Sequence, residues 1–123
     1  MILADTSVII DAQRKPQSLS YFYSIYPKIY ISRITGSELI CGARNTVEKN
    51  RNKKFVEYFP VLEVTEDISL FSYRLLDKYC LTWKLGIQDA IIAATAMKHK
   101  LLLWTKNTKH FEKITDLRFF QPQ

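Results

Sequence analysis

Residues 1–12 read MILADTSVIIDA, a short apolar run that ends on Asp5 and passes at once into a helical pattern. The run predicts a short, fully buried strand, and a carboxylate at the end of such a strand is costly unless it is bonded. Beside Thr6 and Ser7, an aspartate commonly caps the following helix by accepting hydrogen bonds from its free N–H groups. Asp5 therefore either caps that helix or binds a ligand.

Similar apolar runs alternate with helical patterns along the rest of the chain. The predicted strands are 2–4, 28–32, 60–64, 100–104 and 116–120, and the predicted helices are 7–13, 17–26, 35–44, 45–59, 66–80 and 88–100. The strands are apolar throughout, which indicates a parallel sheet covered on both faces. We therefore expect one α/β domain over residues 1–123, doubly wound, with three α/β/α layers and a mostly parallel sheet of four to five strands. Its ligand site should lie beyond the carboxyl ends of the strands.

Composition narrows the function classes. Eighteen Lys and Arg against twelve Asp and Glu leave a formal charge of +6, which favours polyanionic partners, nucleic acid first. No stretch approaches the roughly 20 apolar residues that span a bilayer, and no signal-peptide pattern precedes the first strand. We expect a cytoplasmic protein without membrane contact. Cys41 and Cys80 lack metal-site spacing and are expected to be buried free thiols.

Three acids are expected at the same edge of the sheet, namely Asp5, Glu38 and Asp89. Each also has a structural explanation: Thr35 and Glu38 fit a capping box, and Asp89 in a first helical turn complements the helix dipole. Three carboxylates in one crevice repel each other unless a cation binds there. Oxygen ligands without His or Cys indicate Mg²⁺ or Mn²⁺. A basic protein with such a pocket suggests phosphodiester hydrolysis.

Three segments of the sequence resemble the motifs of a known family. Residues 1–12, ISRITGSELICGAR at 31–44 and GIQDAIIAATAMKHKLLLWTKNTKHFEKI at 86–114 are similar to the successive motifs of PIN-domain ribonucleases. Within that family the pattern is closest to the VapC-type toxins of toxin–antitoxin pairs. The resemblance covers essentially the whole chain in order and implies a single PIN-like domain.

The resemblance implies a Mg²⁺-dependent endoribonuclease in which Asp5, Glu38 and Asp89 form the acidic metal site. Asp5 and Asp89 would contact the ion directly or through water. Glu38 would hold a bound water or a second, transient ion and help to remove the proton of that water. Ser7 matches the small polar residue that steadies the first aspartate. Thr105 matches the hydroxyl that faces the same pocket.

Two positions depart from the family pattern. Asn107 stands where many members carry a fourth acid, and His110 stands where many have an aspartate before phenylalanine. A pocket with three acids suits one Mg²⁺ better than two, so Asn107 is assigned a supporting role. His110 is interpreted as a surface or helix-start residue.

Partners follow from charge and from the resemblance. The resemblance implies RNA as substrate, a cognate VapB-like antitoxin and a homodimer. The candidates for contact with the RNA backbone are Arg33, Arg44, Lys49, Arg51, Lys53, Lys54 and Lys106, and residues 44–54 can equally be a solvated helix face. The aromatic residues at 21–30 favour core packing, and any apolar patch left uncovered there would be a partner site.

Two other functions are consistent with part of the pattern. A haloacid-dehalogenase-like phosphatase also places an aspartate after the first strand, but it needs a second acid where this chain has Ser7. A non-catalytic PIN-like domain that binds RNA or an antitoxin stays open, because Asn107 removes one acid. Metal-dependent binding heat would separate the nuclease from the non-catalytic domain.

Overall fold

The structure, a computed structural model, describes residues 1–17, 20, 24 and 28–122. In this part of the chain four strands form one sheet, in the spatial order β3-β2-β1-β4. They are β1 (Ile2–Ala4), β2 (Ile29–Ser32), β3 (Val61–Leu62) and β4 (Leu102–Trp104). Every pairing is parallel, with Ile2 beside both Ile29 and Leu102. The parallel sheet confirms the prediction of a doubly wound α/β fold.

Five α-helices surround this sheet within the described residues. They are α1 (Thr6–Arg14), α2 (Arg33–Cys41), α3 (Thr46–Val56), α4 (Glu66–Trp83) and α5 (Ile87–Lys98), and a 3₁₀ turn covers Thr108–His110. Most begin at a recognisable cap: the Ser32 side chain accepts from the N–H of Ile34, and that of Asn45 accepts from the N–H of Glu48. No described helix combines the length and apolar character that crossing a lipid bilayer requires.

The two faces of the sheet carry separate cores. On β1, Leu3 packs into the cluster formed with α4 and α5, whereas Ile2 and Ala4 pack into the cluster formed with α1 and α2. Successive side chains of a strand point to opposite faces. Because both faces are covered, all three residues of β1 are buried. This explains why the strand is an unbroken apolar run that ends at Asp5.

Two predicted elements differ from or fall outside the observed fold. Residues 116–120 do not form a fifth strand among the described residues; only a single parallel bridge joins Phe119 to Leu103. Asp116 has a positive φ of 70°, so the backbone turns where the predicted strand would begin. The predicted helix 17–26, with its aromatic residues, lies mostly outside the described residues.

The prediction of buried cysteines is wrong. Cys41 and Cys80 are free thiols, as expected, but both are exposed. Cys41 is the last residue of α2. Cys80 lies on α4, whose buried residues are Ile68, Ser72, Leu75 and Tyr79. An apolar neighbourhood in the sequence therefore did not indicate the buried face of either helix.

Candidate active site

Asp5 lies between β1 and α1, at the carboxyl edge of the sheet. It is the N-cap of α1, and its Oδ1 accepts a hydrogen bond of 2.7 Å from the N–H of Thr6. Its Oδ2 accepts from Ser7 Oγ at 2.9 Å and from Thr105 Oγ1 at 2.7 Å. The side chain is buried, and only 5% of the residue is exposed. Capping and a position in the acidic site are thus compatible roles for Asp5.

The turn after β4 is joined to the start of α1 by a short chain of hydrogen bonds. The N–H of Asp5 donates to the carbonyl of Trp104 at 2.8 Å, and the N–H of Lys106 donates to Ser7 Oγ at 3.1 Å. Asn107 takes part through its backbone, because its N–H donates to Thr105 Oγ1 at 3.0 Å. Ser7, Thr105 and Asn107 therefore all lie in the bonding network around Asp5.

Glu38 reaches the same region from the second turn of α2. The helix begins at Arg33 because Ser32 caps it, so the capping box proposed for Thr35 and Glu38 is absent. Glu38 Oε1 instead accepts a hydrogen bond of 2.7 Å from Thr6 Oγ1. Thr6 was not among the predicted site residues, although its place between Asp5 and Ser7 in the first motif was the available signal.

Asp89 lies in the first turn of α5, as the sequence indicated. Its Oδ2 lies 3.1 Å from Nδ1 of His110, at the end of the 3₁₀ turn. The side chain of His110 is 57% exposed, which agrees with its interpretation as a surface residue. Its contact with Asp89 was not anticipated.

The surroundings of Glu38 and Asp89 change the protonation of both side chains. Burial, followed by the negative charges of Asp5 and Asp89, raises the pKa of Glu38, and the hydrogen bond from Thr6 opposes this rise. Burial and the charge of Asp5 likewise raise the pKa of Asp89, whereas His110 acts in the opposite direction. The carboxylates are therefore close enough to repel each other, and a cation between them would relieve the repulsion.

The donor chemistry suits a hard cation that keeps most of its waters. Among the described residues, no three His, Cys, Asp or Glu side chains converge closely enough to enclose a metal ion. Mg²⁺ does not need such a cage, since it is usually bound by one or two carboxylates and several waters. Asp5 and Asp89 offer that number of carboxylates, and Glu38 is adjacent to them.

Several of the predicted RNA-contacting cations are engaged with acids. Arg33 forms a two-pronged ion pair with Glu63, with Nε 2.9 Å from Oε1. Arg44 pairs with Glu48 at 3.0 Å. Lys106 lies 3.3 Å from Asp11, and Arg51 lies 3.9 Å from Glu48. The described part of the chain contains no ion pair for the other three candidates, Lys49, Lys53 and Lys54.

A groove of about 790 Å³ is lined mainly by residues of α1, α2 and α3. Glu38 belongs to both the cluster and the groove. The other charged and aromatic side chains that line it are Arg14, Arg44, Glu48, Arg51, Lys54, Phe55 and Tyr58. Arg14 was not among the predicted RNA-contacting residues, because the sequence did not indicate that the end of α1 faces this groove.

The arrangement agrees with a match to a known family, the PIN domain, over residues 2–117. The chain belongs to the PIN domain family. Ribonuclease VapC1 of Rickettsia felis is 33% identical to this chain. The match covers 94% of this chain and 92% of the relative. Ribonuclease VapC1 of Methanocaldococcus jannaschii is 35% identical, over 94% of this chain and 82% of the relative.

Comparison with solved structures agrees with this family assignment. A toxin–antitoxin complex from Klebsiella pneumoniae matches with a TM-score of 0.76 and 31% identity, over 95% of each chain. DNA-bound VapBC from Salmonella typhimurium matches with a TM-score of 0.84 and 25% identity, over 97% of this chain and 96% of that one. The chain is thus a homologue of VapC-type PIN ribonuclease toxins.

Proposed function

We propose that this protein is a Mg²⁺-dependent endoribonuclease and the toxin of a toxin–antitoxin pair. The observation that carries the proposal is the oxygen-only acidic cluster of Asp5, Glu38 and Asp89 at the carboxyl edge of the sheet, in a chain whose relatives are named ribonucleases. A VapB-like antitoxin is the proposed partner, since the similar structures are toxin–antitoxin complexes. An RNA substrate favours a cytoplasmic location.

In this proposal Asp5 and Asp89 hold the Mg²⁺ ion, or Mn²⁺ in its place. Asp5 is oriented for this by Ser7 and Thr105, and Asp89 by its contact with His110. When bound, the ion supplies an activated water and neutralises charge on the scissile phosphate.

Glu38 is the proposed proton acceptor for the attacking water. Its Oε1 is occupied by the hydroxyl of Thr6, which leaves Oε2 to accept the proton. Burial raises the pKa of Glu38, and a carboxylate with a raised pKa is a better base near neutral pH. Among the described residues His110 contacts Asp89 rather than a position beside Glu38, so we assign it no proton-transfer role.

The decisive experiment compares the Asp89→Asn variant with the Asp77→Asn variant, which removes an exposed acid from α4. In Mg²⁺, D89N should lose about a hundredfold or more of the RNA cleavage rate, because several kcal/mol of charge stabilisation disappear. D77N should cleave at the parental rate. Sequencing of the RNA ends measures the cleavage, and circular dichroism checks the fold. Parental cleavage by folded D89N would refute the assignment.

A non-catalytic PIN-like domain is the alternative. It predicts that Mn²⁺ titration gives no carboxylate-dependent heat in the parent protein and that purified protein leaves RNA intact. The nuclease proposal predicts heat in the parent protein and its loss in D89N.

A further inference from the structure

The groove beside the acidic cluster carries more positive than negative charge. Its lining contains four cationic side chains and two acidic ones, Glu38 and Glu48. Glu48 neutralises part of this charge through Arg44 and Arg51. No ion pair involves Arg14 or Lys54 within the described ranges. A polyanion that enters the groove therefore meets cations that are free to contact it.

An exposed aromatic ring lies among these cations. Tyr58, just beyond the end of α3, is 75% exposed and lines the groove. Phe55 packs against it in a T-shaped arrangement, with ring centroids 6.1 Å apart. Phe55 in turn packs against the buried ring of Phe59, with centroids 5.6 Å apart. The exposed ring is thus anchored to the core while much of its surface faces solvent.

The groove shares one residue with the acidic site. Its lining includes Glu38 and residues of α3 from Glu48 to Phe55. The seven residue steps from Glu48 to Phe55 correspond to about 10 Å of helix, at about 1.5 Å per residue. A strand whose phosphate lies at the acidic cluster would therefore place its neighbouring nucleotides along α3.

We propose that this groove binds the single-stranded RNA that flanks the scissile phosphate, with a base stacked on Tyr58 and phosphates contacted by Arg14 and Lys54. The inference deepens the proposed nuclease function and depends on it for the position of the scissile phosphate. Cations that track a backbone beside an aromatic ring that stacks a base are the combination by which proteins bind single strands. The occupant is RNA rather than an apolar protein helix, because Arg14 and Lys54, which form no ion pair among the described residues, complement the charge of a polyanion.

Binding is tested without cleavage, in EDTA, with a short fluorescein-labelled single-stranded oligoribonucleotide as the probe. Tyr58→Ala should weaken binding about 5- to 150-fold, the range expected for one stacked base. Tyr58→Trp should restore it. The matched control is Tyr73→Ala, since Tyr73 is a similarly exposed tyrosine on α4 outside the groove. A duplex probe should be less sensitive to Y58A than the single strand.

The phosphate contacts have a separate readout. Lys54→Gln should reduce the slope of log affinity against log salt by about 0.7, the value for one phosphate contact on a single strand. Lys113→Gln, an exposed lysine outside the groove, should leave the slope unchanged.

The outcomes separate this inference from the nuclease proposal. If the parent protein does not cleave RNA but binds the single strand through Tyr58, the groove assignment holds and the nuclease proposal fails. If the parent cleaves RNA and Y58A binds the probe as the parent does, the groove assignment is wrong and the nuclease proposal holds. Weakened binding of an antitoxin to Y58A, together with unchanged RNA binding, would assign the groove to a protein partner and overturn the inference.

Discussion

Thr6 joins two of the three acids at the level of single atoms. Its N–H donates to Asp5 Oδ1 and its hydroxyl donates to Glu38 Oε1, at 2.7 Å in both cases. Thr35 Oγ1 lies 3.0 Å from the same hydroxyl. One threonine therefore sets the position of Glu38, on α2, relative to Asp5 at the start of α1. We regard Thr6 as a positioning residue because its effect on cleavage would act through the two acids that it contacts.

Removal of this hydroxyl should impair cleavage without disrupting the fold. Thr6→Val keeps the branched shape of the side chain but cannot donate to Glu38, so we expect cleavage to fall about 10- to 100-fold, as for other residues that orient metal-site ligands. Thr6→Ser keeps the donor and should retain most of the activity. Single-turnover cleavage of one RNA by the three proteins measures the effect. Equal rates for T6V and the parent would exclude a positioning role.

At the level of secondary structure elements, α1, α2 and α3 are connected by one buried side chain. Asn52 on α3 is 8% exposed, and its Nδ2 donates to the carbonyl of Leu39 at 2.9 Å. That carbonyl is among the last four of α2, which have no partner within their own helix. Asn52 Oδ1 accepts from Gln13 Nε2, on α1, at 2.8 Å. Asn52 therefore fixes α2, and with it Glu38, against the other two helices.

This connection predicts a specific loss of stability. Asn52→Ala leaves a buried carbonyl and the Gln13 amide without their partner and should reduce the free energy of unfolding by about 1–3 kcal/mol. Asn50→Ala, on the same helix but exposed, is the matched control and should change stability by less than about 0.5 kcal/mol. Urea unfolding followed by circular dichroism provides both values. Equal effects in the two variants would show that the buried amide contributes nothing.

On the scale of the whole molecule, a protein with a net charge of +6 places the acids Asp5, Glu38 and Asp89 near one edge of its sheet. Burial and mutual repulsion raise the pKa values of Glu38 and Asp89. A carboxyl whose pKa is higher in the folded state binds more protons when folded, so stability decreases as pH rises from its ordinary pKa through its raised one. The site is thus held together at some cost in stability near neutral pH.

Glu38→Gln should reveal this cost, since glutamine keeps an acceptor for Thr6 but cannot ionise. In EDTA, E38Q should have a larger free energy of unfolding than the parent at neutral pH. This difference should become smaller below the ordinary pKa of a glutamate, where Glu38 of the parent is protonated. Mg²⁺ should reduce the difference by stabilising the parent. Urea unfolding over a pH series measures it. Glu57→Gln, which replaces an exposed acid, is the control, and a pH profile of E38Q identical to that of E57Q would contradict the prediction.

The sequence predicted the four observed strands and placed Asp5 and Asp89 at the starts of helices, because these features depend on local signals. An apolar run identifies β1, and Asp5 follows it directly. The hydrogen-bond partners were harder to predict. Ser32 and Thr35 are both plausible caps for α2, and only the observed end of β2 decides between them.

Contacts between residues that are far apart in the chain could not be predicted from the sequence. Arg33 and Glu63 are 30 residues apart, and Asp89 and His110 are 21 apart. No periodicity or motif encodes such pairs, because they depend on how the elements pack. For this reason the sequence did not indicate which of the candidate cations are neutralised by acids.

The central position of β1 has a consequence for synthesis on the ribosome. Asp5 leaves the ribosome well before its partner Thr105, which follows 100 residues later, after the neighbouring strand β4. Until that late segment leaves the exit tunnel, the edge of β1 that pairs with β4 has no neighbour and the carboxylate lacks one of its hydroxyl donors. The acidic site is therefore incomplete until β4 and the turn that follows it have been translated.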